Sequence, residues 1–350
     1  MISIPDLEGP LSSKAPATLA DEAEQIGLDV FGVSAQAQVL TAERDMNFLL
    51  TTPDGAKYVL KISNPAEEPA VTNLQTSALL HLEATRPSLR VPRIVPALDG
   101  SVEPPIALRE GRTSVVRLLS YLSGVPLHAL PRTRGVRQNL GTLLAELDIG
   151  LQNFSHPAQS HSLPWNSMDL PRLEPLLGTV EDEALRGLAE RAIRDFADVV
   201  APEIPGLRAQ IIYNDLNFYN VLMDQTNNEA VAGLIDFGDI IHAPLVNDVA
   251  VAASYHFSDA RGSLLPLEEF IASYHRRLKL TDAEIALVPF LIASRMATTV
   301  LVASWRASSH PDNKDYILRN RPNAQAGLSA LLGQSRDEKR AWINGVCGKA

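Results

Sequence analysis

Cysteine is almost absent from this sequence, since Cys347 is the only one among 350 residues. A single thiol can form neither an intramolecular disulfide nor a cysteine-based metal site. This usage is typical of proteins that work in the reducing cytosol. Residues 1–10 contain neither a basic segment nor an apolar run, so we expect no signal peptide. These features predict a cytoplasmic protein.

Positive charge is also scarce. The 41 acidic residues outnumber the 31 lysines and arginines, which gives a net charge of −10. Nucleic acids and anionic membranes attract proteins through clusters of Lys and Arg, so we expect neither as a partner. The acidic balance is compatible with a cationic substrate, and equally with the solubility that any net charge confers.

Long uninterrupted hydrophobic runs are missing as well. The most apolar stretch, residues 287–305, is interrupted by Pro289 and Arg295 and diluted by small polar residues. A membrane-spanning helix needs about 20 dominantly apolar residues. We therefore predict a buried core helix here, within a protein whose apolar fraction of 45% can supply a large core.

The first third of the chain has the pattern of a small sheet. A short helix is predicted at residues 18–27, closed by Gly27. Pro53-Asp54-Gly55 predicts the turn of a β-hairpin whose second strand is Lys57–Ile62. Alternation along that strand places Val59 and Lys61 together on one face. A helix from residue 67 and a buried strand at 113–119 follow.

Helices dominate after a Gly- and Pro-containing boundary at residues 120–126. One β-rich insert, residues 211–237, lies between them. We predict an α+β protein of two lobes with a cleft at their junction. Its parts are an N-terminal helical arm at 1–28, a β-rich N-lobe at 29–120 and a larger helical C-lobe at 121–350.

The strongest chemical signal lies in that insert. Asp215 is followed five residues later by Asn220, and Asp236-Phe237-Gly238 begins sixteen residues after Asn220. This order, with a strand between, is the arrangement of kinases. Phosphoryl transfer needs a carboxylate at the attacking hydroxyl, here Asp215, and groups that hold Mg²⁺ at the phosphates, here Asn220 and Asp236. Singly, each could cap a helix or complete a turn, and only the ordered set carries the prediction.

The chain resembles the aminoglycoside phosphotransferase and choline kinase superfamily, whose loop typically reads His-Gly-Asp-x-x-x-x-Asn. Residues 214–220 and 236–244 resemble the hydroxylysine kinase-like branch, and the resemblance spans residues 29–332. It implies a protein-kinase-like fold, a nucleoside triphosphate (ATP or GTP) as co-substrate, and Mg²⁺ as cofactor. The acceptor it implies is a small hydroxylated amine or amino acid.

The same resemblance implies a nucleotide-binding set in the small lobe. Lys61 matches the phosphate-contacting lysine, although alone it could be a solvated surface residue, and Val59 would pack against the base. Gln75 stands where the family has a glutamate, so a Lys61–Gln75 hydrogen bond is predicted in place of an ion pair. Asp45 and Asn47 fall in the turn that covers the phosphates, or form a plain β-turn, since this turn is not glycine-rich.

Supporting roles are implied for residues around the catalytic loop. Asn217 lies inside the Asp215–Asn220 loop. Asp248 matches an acidic position that supports this loop, with a helix cap as the alternative. His242 could face the substrate. Tyr213 stands where most members have histidine, which could alter the geometry of the loop.

The function predicted is a small-molecule kinase acting on an alcohol group. The alternative is a nucleotide-binding pseudokinase that serves as an interaction module, which the departures at Tyr213 and Gln75 would permit. A protein kinase is disfavoured, because the twelve residues from Asp236 to Asp248 leave little room for an activation segment.

Overall fold

The computed structural model describes residues 16, 18–42, 44–109, 111–259, 263–310, 312 and 314–348. Within them the α-helices are α1 Ala20–Phe31, α2 Pro69–Thr85, α3 Arg134–Leu151, α4 Glu183–Asp195, α5 Leu245–Tyr255, α6 Leu265–Arg277, α7 Asp282–Ser309, α8 Lys314–Ile317, α9 Arg321–Leu332 and α10 Arg336–Val346. The strands are β1 Gln36–Leu40, β2 Met46–Thr51, β3 Lys57–Ile62, β4 Ile94–Val95, β5 Pro105–Ala107, β6 Thr113–Ser120, β7 Val125–Pro126, β8 Ala209–Ile212, β9 Val221–Met223, β10 Val231–Leu234 and β11 Ile241–Pro244.

One antiparallel sheet organises the small lobe. Its strands lie in the order β1-β2-β3-β6-β4, and β5 also pairs with β6. The predicted hairpin is present, because β2 and β3 pair in register from Met46↔Ile62 to Thr51↔Lys57. Leu60 and Ile62 are fully buried in the core of this lobe, while Val59 and Lys61 lie on the opposite, cleft-side face. The alternation predicted for β3 is confirmed.

Helix α1 differs from its predicted extent. It begins at Ala20 and continues to Phe31, and Gly32 rather than Gly27 ends it in a left-handed conformation with a φ of 70°. Ala23 and Phe31 are buried against the small-lobe sheet. The boundary predicted between residues 28 and 29 therefore falls inside a helix that shares the small lobe's core.

The large lobe is helical and is built around α7. This helix packs against α5, α9 and a 3₁₀-helical segment, Ser167–Thr179. By length and hydropathy it is the one helix in the described part of the chain that could suit a membrane span, but 89% of its most apolar stretch is buried inside the protein. A core helix passes the same test, and the predicted buried core helix is confirmed.

Short strands build the floor of the cleft. Strand β9 pairs with β10 and with β7, which lies at the lobe junction, and β8 pairs with β11. The loop between β8 and β9 carries Asp215 and Asn220, and the segment between β10 and β11 carries Asp236. The predicted α+β fold with a strand-rich small lobe and a helical large lobe is confirmed.

Candidate active site

The carboxylate of Asp215 is held by neutral hydrogen-bond donors. Its Oδ2 accepts hydrogen bonds from Asn217 Nδ2 at 2.7 Å and Asn220 Nδ2 at 2.8 Å. Its Oδ1 accepts one from the hydroxyl of Tyr255 at 2.9 Å. Donors on both oxygens fix the orientation of the carboxylate, so the structure brings the predicted residues Asp215, Asn217 and Asn220 together.

The environment of Asp215 raises the pKa of its carboxyl group. Burial raises the pKa of Asp215 to about 7, and the negative charge of Asp239 acts in the same direction. Arg295, whose Nη2 lies 3.9 Å from Oδ1, and the hydrogen-bond donors lower that pKa without cancelling the effect of burial. A carboxylate with a pKa near neutrality is suited to accept a proton from a substrate.

Buried Asp248 fixes the backbone that leads into Asp215. Its two carboxylate oxygens accept hydrogen bonds from the backbone N–H groups of Tyr213 at 2.9 Å and Asn214 at 2.8 Å. Asn214 has a φ of 63°, in the left-handed region that asparagine tolerates better than most residues. Asp248 lies in the first turn of α5 without capping it, so its carboxylate is committed to this loop rather than to a helix end.

Backbone pairing places Asn220 beside Asp236. The N–H of Ile235 donates to the carbonyl oxygen of Asn220 at 2.9 Å, and Gly238 N donates to Asp236 Oδ1 at 3.1 Å. Burial opposes ionisation of Asp236, but the positive charges of Lys61 and Arg44 outweigh it and hold its pKa below the usual value. The carboxyl group of Asp236 is therefore ionised at neutral pH.

These two side chains fit a divalent cation. In the part of the chain that the structure describes, no group of three His, Cys, Asp or Glu side chains is arranged to bind a metal. Mg²⁺ does not need such a cage, because it is commonly held by one or two protein ligands together with substrate phosphates. The amide nitrogen of Asn220 is used by Asp215, so its oxygen and the carboxylate of Asp236 are the two groups that could hold the ion.

A row of polar side chains crosses the small-lobe sheet opposite Asp236. Lys61 is paired in register with Asn47 on β2 and with Arg117 on β6, so the three point to the same face. Lys61 Nζ lies 3.6 Å from Asp45 Oδ2. The predicted residues Asp45, Asn47 and Lys61 are thus neighbours, and the partly buried side chain of Val59 lies on the same strand face.

The predicted hydrogen bond between Lys61 and Gln75 is wrong. The side-chain oxygen of Gln75 accepts a hydrogen bond from Arg117 Nη1 at 3.0 Å, and Lys61 pairs with Asp45 instead. Arg117 is almost fully buried and stands directly across from Lys61, so its guanidinium takes the partner on α2. The glutamine therefore serves a buried arginine, whose charge needs a hydrogen-bond acceptor more than a partly exposed lysine does.

Residues 37–287 match the sequence profile of the phosphotransferase enzyme family. The chain belongs to the phosphotransferase enzyme family. It is 27% identical over 354 residues to the hydroxylysine kinase of Mus musculus, an alignment that covers 94% of this chain and 93% of that protein.

Solved structures share the fold of this phosphotransferase. A microcompartment-associated aminopropanol kinase superposes with a TM-score of 0.65 at 20% identity, covering 89% of this chain and 96% of that one. An amicoumacin kinase in complex with AMP-PNP and Ca²⁺ gives a TM-score of 0.65 at 14% identity, covering 87% and 92%. The protein-kinase-like fold expected from the sequence is confirmed.

Tyr213 and His242 lie in different surroundings, since the first is buried and the second is exposed. Tyr213 is fully buried, its hydroxyl donates to the carbonyl oxygen of Ile235 at 2.5 Å, and its ring meets the edge of Phe237 at 5.2 Å. It therefore ties the loop that carries Asp215 to the residues around Asp236. The side chain of His242 is exposed on β11, and its backbone N–H donates to Gln159. The structure thus does not place His242 among the residues around Asp215.

Sequence reasoning missed Arg295, which lies beside Asp215. Its Nη1 donates to the carbonyl oxygen of Trp165 at 2.5 Å and its Nη2 to the hydroxyl of Tyr255 at 3.0 Å. Only 4% of its side chain is exposed. In the sequence this arginine merely interrupts an apolar run. A charge inside a core helix has to be paired, and that requirement was the available signal.

Proposed function

We propose that this phosphotransferase transfers the γ-phosphate of ATP or GTP to the hydroxyl of a small hydroxylated amine or amino acid. The observation that carries the proposal is the buried carboxylate of Asp215. It is held by Asn217, Asn220 and Tyr255 and has a pKa raised to about 7 by burial. A carboxylate so placed can accept the proton of an attacking hydroxyl.

The related proteins support the acceptor class. Hydroxylysine kinase and aminopropanol kinase are named for acceptors that carry both a hydroxyl and an amine. The net charge of −10 of this chain is compatible with such cationic acceptors. Within the class, we favour an amino acid, because the hydroxylysine kinase alignment extends over almost the whole of both chains.

The chain's own residues divide the chemistry between the lobes. Asp215 would orient the acceptor hydroxyl and take its proton as the oxygen attacks the γ-phosphorus in line with the leaving diphosphate. Lys61 would contact the phosphates and Val59 the base. Asn220 and Asp236 would hold a divalent cation, for which we propose Mg²⁺, and it would neutralise charge on the phosphate oxygens. The amicoumacin kinase structure, with AMP-PNP and Ca²⁺, supports a nucleotide and a divalent cation in this fold.

The alternative of a pseudokinase that acts as an interaction module finds no support in these comparisons. Tyr213 and Gln75, the departures that would permit it, each make hydrogen bonds within the fold. Asp215, Asn220 and Asp236 are all retained.

The deciding experiment is an assay of nucleotide consumption, with ATP and GTP in parallel and Mg²⁺ present. The acceptor panel comprises hydroxylysine, homoserine, aminopropanol, ethanolamine, choline and an aminoglycoside. We expect acceptor-dependent diphosphate release that falls at least about 100-fold in Asp215→Ala and Asp215→Asn, as for loss of a general base. Nucleotide affinity should stay within about threefold, because Asp215 serves the acceptor.

The matched control is Asp198→Ala, which removes an exposed carboxylate from the short π-helix Phe196–Val200 and should keep wild-type turnover. Wild-type rates in Asp215→Ala would refute the role of Asp215. Nucleotide binding with no turnover on any acceptor would favour the pseudokinase.

A further inference from the structure

An arginine of the small lobe reaches across the cleft to the Asp-Phe-Gly segment. Arg44 lies in the connection between β1 and β2, and its Nη2 is 2.7 Å from Oδ1 of Asp239 in the large lobe. The same Nη2 lies against Gly238, where an added Cβ would approach it to 3.2 Å. The guanidinium therefore sits beside the proposed metal ligand Asp236.

The position of Arg44 is fixed by its own lobe. Buried Asn64, just after β3, donates from its side-chain nitrogen to the carbonyl oxygen of Arg44 at 3.1 Å. The backbone N–H of Asn64 donates to Asp45 Oδ1, also at 3.1 Å. This clamp holds the backbone at Arg44 and Asp45 over the cleft, so only the arginine side chain has to move if its partner changes.

The charges that surround Arg44 are the carboxylates of Asp239, Asp236 and Glu67. Desolvation disfavours the Arg44 cation, but Asp239 and Asp236 more than compensate, so its pKa is raised above the ordinary arginine value. When a divalent cation binds Asp236, that ion and the guanidinium repel each other at the same carboxylate. Phosphate oxygens would relieve this repulsion, because the planar guanidinium binds phosphate through two parallel hydrogen bonds.

We propose that Arg44 is a direct ligand of the terminal phosphate of the nucleotide, exchanging Asp239 for that phosphate when the metal–nucleotide complex binds. The proposal rests on the proposed nucleotide-dependent function. The turn between β1 and β2 is not glycine-rich, so its backbone amides do not approach phosphate as they do in glycine-rich loops. In this proposal the long cationic side chain of Arg44 binds the phosphate instead. Lys61, paired with Asp45 at 3.6 Å, would be the second cation at the phosphates.

The test is equilibrium binding by calorimetry, with Mg²⁺ present, of a non-hydrolysable triphosphate and of the matching diphosphate. Wild type, Arg44→Ala and Arg44→Lys are compared. We expect Arg44→Ala to weaken triphosphate binding about 10- to 100-fold and diphosphate binding less than about threefold. The triphosphate affinity of Arg44→Lys should lie between those of wild type and Arg44→Ala, because lysine keeps the positive charge but cannot form the two parallel hydrogen bonds. The ratio of the two affinities isolates the terminal phosphate, since loss of the Asp239 pair affects both nucleotides alike.

Arg109→Ala is the control, because Arg109 pairs with Glu22 and is 60% exposed on the small lobe. It should leave both affinities unchanged, and thermal midpoints of all variants check folding. Equal or tighter binding of both nucleotides to Arg44→Ala would overturn the proposal. It would mean that the Arg44 side chain competes with the nucleotide for the same place. Failure of the wild type to bind either nucleotide would instead refute the proposed function itself, and this inference with it.

Discussion

The two sides of the cleft hold their polar side chains by different means. On the small-lobe side Arg44 and Lys61 are held by acids, at 2.7 Å from Asp239 and 3.6 Å from Asp45. On the large-lobe side Asp215 accepts its hydrogen bonds from neutral donors, and Asp248 accepts hydrogen bonds from two backbone N–H groups. Partly exposed ion pairs are weak and can be exchanged, whereas leaving a buried hydrogen-bonding group without a partner costs about 1–3 kcal/mol. The ion pairs on the small-lobe side can therefore change partners, while the loop that carries Asp215 is set by the fold.

The largest expected effect is that of Asp248→Ala, which should disrupt the backbone that leads into Asp215. It leaves the backbone N–H groups of Tyr213 and Asn214 without an acceptor in a fully buried place. We expect a loss of about 3–5 kcal/mol in the free energy of unfolding, measured by urea denaturation. The exposed control Asp198→Ala should change it by less than about 0.5 kcal/mol. A loss below about 1 kcal/mol in Asp248→Ala would contradict a loop set by this carboxylate.

Arg295→Met should come next, because it removes the positive charge beside Asp215. Arg295 Nη2 lies 3.9 Å from Asp215 Oδ1 and donates to the hydroxyl of Tyr255. We expect kcat to fall about 10- to 100-fold while the KM for the nucleotide stays within about threefold. Arg295→Lys should restore part of kcat. A larger change in the KM for the nucleotide than in kcat would contradict this prediction, because it would mean that Arg295 serves nucleotide binding rather than Asp215.

Asp148→Asn tests whether a buried carboxyl group on the large-lobe side makes the stability of the protein depend on pH. Burial and the negative charge of Asp248 raise the pKa of Asp148 well above its usual value, although Tyr274 donates to it at 2.6 Å. The folded protein thus keeps a proton that the unfolded chain releases, and stability is lost as the pH rises through the folded pKa. Asparagine has no such proton to lose.

We therefore expect the stability of Asp148→Asn relative to wild type to increase as the pH rises from about 4, the ordinary aspartate pKa, across the pH range of a series of urea denaturations. A constant difference across that range would mean that Asp148 is not the group that holds the proton. Tyr274→Phe serves as a check, because it removes the hydrogen bond without removing the titrating group.

Gln75→Glu should have the smallest effect and tests the small-lobe side. Because Gln75 bonds Arg117 rather than Lys61, the new carboxylate should pair with Arg117. Nucleotide affinity should then change by less than about threefold, measured by calorimetry. A tenfold gain would show that the residue reaches Lys61 in the nucleotide-bound protein.

The sequence predicted strand β3, its two faces and the ordered set Asp215, Asn220 and Asp236, because alternation and motif spacing are local properties of the chain. It did not predict the partner of Gln75. Lys61 and Arg117 come close only because β3 pairs with β6 in one particular register, and sequence spacing does not report which of two cations a helix residue will meet.

Arg295 shows the same limit at longer range. The sequence by itself determined that a charge interrupts the apolar run of α7, that a phosphotransferase motif lies in a β-rich insert, and that the chain folds as two lobes. Only the tertiary structure decided that Arg295 lies beside Asp215, 80 residues away in the chain, and that Arg44 meets Asp239 across the cleft. A charged side chain inside a protein must find a partner, but which partner it finds is set by how helices and strands pack, and packing is not a local property of sequence.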